Sequence, residues 1–254
     1  MSGAGTTAPA RPTHREPELL GQTVVVIGGS AGIGLATARL ARSAGADVVL
    51  TGRDPDRLRR AAEEVGPSAT AAFDATDEAR LDGFFADLPQ PVDHVLVTGS
   101  GPYYAPLAEL DLAEARRDLD THLWLPIQVA RASIGRVRPA GTLLFVGGTG
   151  GRRRGTGLSL IGAMTAAMPA LVANLALEIA PVRVNLIAAG FVDTPLSARL
   201  LGDDLEARRE QLRATLPIRR VVEPEDVAAL AVHLMANTAL TGGTYDVDGG
   251  QQLT

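Results

Sequence analysis

The chain has 254 residues, 46% hydrophobic and 21% charged, which suits one α/β domain around a single core. All 24 basic residues are Arg; the absence of Lys and Cys excludes Schiff-base chemistry, thiolate nucleophiles, disulfides and cysteine metal sites. The net charge of −5 argues against nucleic acid as a partner, no run approaches the roughly 18 apolar residues of a membrane span, and residues 1–18 lack a signal-peptide core. The expectation is therefore a cytoplasmic protein with no nucleic-acid or membrane partner, a flexible tail over 1–18 and a single domain over 19–254.

In chain order, β-branched runs at 23–27, 47–51, 69–73, 93–98, 142–147, 183–187 and 243–247 alternate with stretches of helical period at 33–44, 55–65, 77–87, 112–134, 158–179, 195–214 and 224–235. Strands that alternate with helices predict a doubly wound, seven-stranded parallel sheet covered on both faces. Asp54 before Pro55 reads as a helix start, whereas Glu223 before Pro224 lacks a good capping side chain. Pro126 and Pro169 fall inside predicted helices and predict kinks.

The first strand runs into Gly28-Gly29-Ser30-Ala31-Gly32-Ile33-Gly34 and then into an amphipathic helix. Glycine between the first strand and helix of a βαβ unit lets a pyrophosphate approach the main chain, and the helix N-terminus then offers free N–H groups. Further along stand Thr51-Gly52-Arg53, Phe73-Asp74-Ala75, Arg183-Val184-Asn185, Gly190-Phe191-Val192-Asp193-Thr194-Pro195 and Asp246-Val247-Asp248-Gly249-Gly250. With the Gly-x-x-x-Gly-x-Gly spacing, this ordered series resembles the short-chain dehydrogenase/reductase family over nearly all of 19–254.

The resemblance implies a nicotinamide cofactor cradled by Gly28, Ser30, Ala31, Gly32, Ile33 and Gly34. Asp74 and Ala75 would meet the adenine; Thr98-Gly99-Ser100-Gly101 stands where the family has Asn-Asn-Ala-Gly, with Thr98, Gly99 and Ser100 toward the cofactor; Gly190, Val192 and Thr194 would meet the nicotinamide. Arg53 stands where NAD-preferring proteins place an acid, so the implied cofactor is NADP(H). Helix capping remains open for Asp74 and Thr194, and a solvated surface charge for Arg53.

The family's usual Ser, Tyr and Lys positions fall on Gly148, Ile161 and Thr165. No Tyr lies between Tyr104 and Tyr245, so no shift of register restores a Tyr-x-x-x-Lys pair. His122 occupies the family's Asn position and is a candidate proton donor or a hydrogen-bonded support. Tyr103 and Tyr104 are alternative donors or pocket lining. Arg152, Arg153 and Arg154 precede the fifth helix, either to bind a carboxylate or phosphate of the substrate or to face solvent. His14, His94 and His233 have no metal-ligand spacing.

The expected function is an atypical NADP(H)-dependent oxidoreductase acting on a small carbonyl or hydroxyl compound, one that is anionic if the arginine run binds it. A non-redox enzyme on the same scaffold and an inert NADP-binding subunit are the alternatives. The small stripe Gly162, Ala163, Ala166, Ala167, Ala170 suits either a homo-dimer or homo-tetramer contact or packing on the sheet.

Overall fold

The computed structural model describes residues 18–254, and the tail expected over 1–18 lies outside them except for Glu18. Seven strands, β1 (Thr23–Ile27), β2 (Asp47–Gly52), β3 (Ala69–Ala72), β4 (Val92–Val97), β5 (Val137–Gly148), β6 (Arg183–Ala189) and β7 (Thr244–Val247), form one sheet in the order β3-β2-β1-β4-β5-β6-β7. Every pairing is parallel. The order reverses between β1 and β4, which opens a crevice beyond their carboxyl ends.

Nine helices occupy the described residues: α1 (Gly32–Ser43), α2 (Pro55–Val65), α3 (Glu78–Asp87), α4 (Leu112–Leu119), α5 (Leu125–Ser133), α6 (Ser159–Glu178), α7 (Pro195–Leu201), α8 (Leu205–Thr215) and α9 (Pro224–Ala236). Alternate residues of each central strand enter opposite cores. Val24, Val26, Leu96 and Leu144 pack with Ala38 of α1 and Ala231 of α9, while Val25, Val95, Leu143 and Phe145 pack with Phe85, Val129 and Val172. Burial on both faces explains why these strands read as continuous apolar runs. Arg183, at the buried start of β6, donates to the Leu234 and Met235 carbonyls, each at 2.7 Å, so a charged residue closes the end of α9.

Three expectations need correction. The stretch 112–134 is two helices joined by a π-turn at Asp120–Trp124, in which the Leu125 N–H reaches back to the Asp120 carbonyl. Pro126 has no N–H and its ring crowds the preceding turn, so the helix widens just before it. The stretch 195–214 breaks at Gly202, whose φ of +52° ends α7. The fifth strand begins earlier, because Val137 pairs with Val92 before the register shifts. At α9 the missing cap is supplied from within: the Glu223 N–H donates to Asp226 at 2.9 Å. Pro169 leaves α6 unbroken.

α6 also departs from the hydropathy expectation, since this 20-residue helix holds an 18-residue window of mean hydropathy 1.8 and is long and apolar enough to cross a membrane by length and composition. Here it runs along the sheet, burying Ile161, Met164, Met168, Val172 and Leu175.

Candidate active site

One cavity of about 980 Å³ follows the carboxyl ends of the strands, and all the residues assigned above to the cofactor line it. The glycines have steric reasons to be there. Gly28 has φ +87°, and a side chain on it would come 2.9 Å from the Thr98 carbonyl oxygen and closer still to the Thr98 hydroxyl. That hydroxyl instead donates to the Ile27 and Gly28 carbonyls, at 3.2 and 3.1 Å, tying the glycine loop to the end of β4. A Cβ on Gly34 would collide with the Gly28 carbonyl, so α1 packs directly on the loop.

Ala31 begins α1 in extended conformation with no side-chain cap, and the first turn carries no acid. The N–H groups of that turn are therefore available to an anion in the cavity. A Cβ-free cradle opening on an uncapped helix N-terminus fits a dinucleotide pyrophosphate. Arg53 lines the same cavity, directly after Gly52, whose backbone lies against Ser30, and has no hydrogen bond or ion pair among the described residues. Asp74 caps its own turn, accepting from the Thr76 N–H at 3.0 Å and the Thr76 hydroxyl at 2.8 Å. Thr194 caps α7, accepting from the Ser197 N–H at 3.2 Å. Both line the cavity while serving these local roles.

The other end is floored by Gly148, Ile161 and Thr165, with Met164 and Met168 behind. The Thr165 hydroxyl is spent on the Ile161 carbonyl at 2.7 Å. His122, on the π-turn, lines this end and is held at both ring nitrogens. Nδ1 lies 2.9 Å from Asp118 Oδ1 and 3.0 Å from the Asp118 carbonyl, while Nε2 lies 3.1 Å from the Ser100 carbonyl. Since every partner is an acceptor, the ring satisfies them fully only as the imidazolium. Burial opposes that charge, but hydrogen bonding and attraction to Asp118 outweigh it and raise the pKa above the ordinary histidine value.

The two tyrosines part company. The Tyr103 hydroxyl accepts from the Asp111 N–H at 3.1 Å at the start of α4, away from the cavity lining. Its N–H donates to Asp118 Oδ2 at 3.2 Å, so Tyr103 supports the loop and is not positioned as a donor. Tyr104 lines the cavity, and burial together with the Asp118 charge raises its phenol pKa, so it keeps its proton.

The arginine run also divides. Arg152 is paired with Asp246 through two bonds, one of 2.6 Å. Arg154 donates to the Gly151 carbonyl at 2.9 Å and is outside the cavity lining. Arg153 alone lines the cavity.

The sequence pattern described as Enoyl-(Acyl carrier protein) reductase matches residues 28–252. Human dehydrogenase/reductase SDR family member 4 is 30% identical over 94% of this chain and 90% of the relative. The chain belongs to the short-chain dehydrogenase/reductase family. The short-chain dehydrogenase/reductase malC of Malbranchea aurantiaca is 28% identical, covering 95% of this chain and 99% of that one. Its solved structure, described as MalC Reductase/Diels-Alderase, superposes with a TM-score of 0.86 at 26% identity over 94% of this chain and 99% of that one. A small-chain dehydrogenase solved in complex with NADPH superposes with a TM-score of 0.79 at 26% identity over 92% and 99% of the two chains.

Asp118, Arg199 and Arg208 of this family member's site escaped the sequence reading. Asp118 was detectable as an acid four residues before His122, the spacing that meets on one helix face. Arg208 of α8 carried no such signal, because it is one of three arginines on a helix whose tertiary position decides which of them reaches the cavity.

Proposed function

We propose that the chain is an NADP(H)-dependent oxidoreductase that interconverts a small carbonyl compound and its alcohol without the family's Tyr-x-x-x-Lys pair. The observation that carries this reading is Arg53, a guanidinium unpaired among the described residues that lines the cavity just after β2, where a 2′-phosphate needs a cation. Bound nicotinamide would supply or accept the hydride. The glycine loop and the first turn of α1 hold the phosphates; Val192 and Thr194 orient the far end.

With Ile161 and Thr165 on the floor, positive charge and a proton must come from elsewhere. The His122 imidazolium, stabilised by Asp118, supplies the charge, and its Nε2–H reaches a substrate oxygen when it exchanges the Ser100 carbonyl for that oxygen; the protonated Tyr104 is the second donor in reach of the cavity. A non-redox reading is favoured by one feature, the apolar wall of Ile161, Met164 and Met168, and by the description of MalC as a reductase and Diels-Alderase. We also propose that the exposed face of α6 joins a second copy of the chain.

NADPH should bind more tightly than NADH, and Arg53→Ala should weaken NADPH by about ten- to a hundredfold, the loss of one charge-assisted contact. Equal affinities in the unmodified protein overturn the NADP(H) assignment. In a screen of aldehydes and ketones that follows NADPH oxidation, His122→Asn should lower turnover by about a hundredfold or more while NADPH affinity stays unchanged. If a compound is converted while the NADPH concentration stays constant, the non-redox reading takes its place.

A further inference from the structure

The cavity is electrically lopsided. Its lining carboxylates among the described residues are Asp54 and Asp74, both at the β2 and β3 end. At the opposite end stand Arg153, from the loop before α6, Arg199 of α7 and Arg208 of α8, with no carboxylate among the lining residues there.

The neighbours of these arginines show that pairing was available. Arg152 is paired with Asp246, and Arg209 grips Asp193 at 2.7 and 2.8 Å and Glu206 at 3.1 Å. Arg153 instead donates to the Gln251 carbonyl at 2.9 Å, and Arg208 to Gln211 at 2.7 Å, leaving both charges uncompensated. Arg208 lies 5.8 Å from the Phe191 ring centroid, over a face that steadies the guanidinium without neutralising it. Burial, and then the charge of Arg153, push the Arg208 pKa below its usual value, so the two cations feel one another. Like charges brought together across a half-buried cavity destabilise the protein unless an anion comes between them. Between them and the floor, Leu158, Leu196, Leu200 and Phe191 supply apolar wall.

We propose that this end of the cavity binds an organic anion with an apolar body, its charged group held between Arg153 and Arg208. The proposal deepens the oxidoreductase reading above by naming its substrate class, and it rests on that reading for the occupant of the opposite end. A planar carboxylate and a phosphate both suit paired guanidinium forks.

Titrations of the full chain with hexanoate, hexyl phosphate and hexanamide, each with and without saturating NADPH, test it. At least one anion should bind about tenfold or more tightly than the amide, and the better anion names the group. Arg153→Gln with Arg208→Gln should reduce that anion to the affinity of the amide and leave NADPH binding unchanged, while Arg208→Lys should retain a preference for the anion. Equal binding of all three probes overturns the proposal. So does weaker NADPH binding in the double variant, which would assign these cations to the cofactor. Failure of NADPH to bind the unmodified protein strikes the cofactor reading instead, and the titrations without NADPH still decide the anion preference.

Discussion

His94 and His122 are both buried and are driven in opposite directions by what surrounds them. His94, inside β4, donates from Nε2 to the Gln22 side chain at 2.6 Å, and Nδ1 has no partner among the described residues. Burial, then the charges of Arg183 and Arg138, lower its pKa from 6.5 to about 3. The unfolded chain therefore takes up a proton below pH 6.5 that the folded chain refuses until about pH 3. Stability from neutral His94 is complete above pH 6.5 and is lost as pH falls through that window, by up to about 1.4 kcal/mol per pH unit. Replacing His94 with Gln should make the urea midpoint fall less steeply between pH 6.5 and 5. Parallel profiles for the two proteins would show that His94 already titrates normally in the fold.

At the scale of elements, the π-turn at Asp120–Trp124 decides where His122 stands, and Asp118 one turn earlier decides its charge. Through the Ser100 carbonyl and the Tyr103 N–H, this pair ties the loop after β4 to the end of α4. A raised folded pKa means that the stabilisation is complete below the ordinary value of 6.5 and is lost as pH rises through the folded value. Asp118→Asn removes the counter-charge while burial remains, so the His122 ring should titrate lower than in the unmodified protein when followed by NMR. An unchanged titration would mean that the carbonyls, not the carboxylate, hold the proton. The strands were legible in the sequence because double burial selects uninterrupted β-branched runs, and the glycine loop because its backbone tolerates no Cβ at Gly28 or Gly34. The interruption at Pro126 was legible from the proline, though not its form as a π-turn; the break at Gly202 was not, since helical period continues across it. The split of the arginine run was equally hidden: Asp246 lies 94 residues beyond Arg152 in the chain and meets it only once the sheet is assembled.

For the whole molecule, the strand order β3-β2-β1-β4-β5-β6-β7 places the cofactor cradle on one side of the switch point and the uncompensated arginines on the other. α6 flanks this cavity with one face, through Ile161, Met164 and Met168, and turns Ala163, Ala166, Ala170, Ala173 and Leu177 outward. Leu177 is 79% exposed, and Trp124 and Leu112, 54% and 70% exposed, extend the apolar surface around the π-turn and α4. Small residues let two helices approach closely, and an apolar surface of this extent marks a contact more often than it faces water. The proposed second copy would cover that face and brace the helix that carries the floor of the site. Sedimentation at micromolar concentration should therefore give a mass that is a multiple of 26.4 kDa. Ala170→Glu, an exposed change that places a charge at the centre of the contact, should release monomers with an unchanged circular dichroism spectrum. A monomeric unmodified protein would return the outer face of α6 to solvent, and an Ala170→Glu variant that stays assembled would move the contact to another surface.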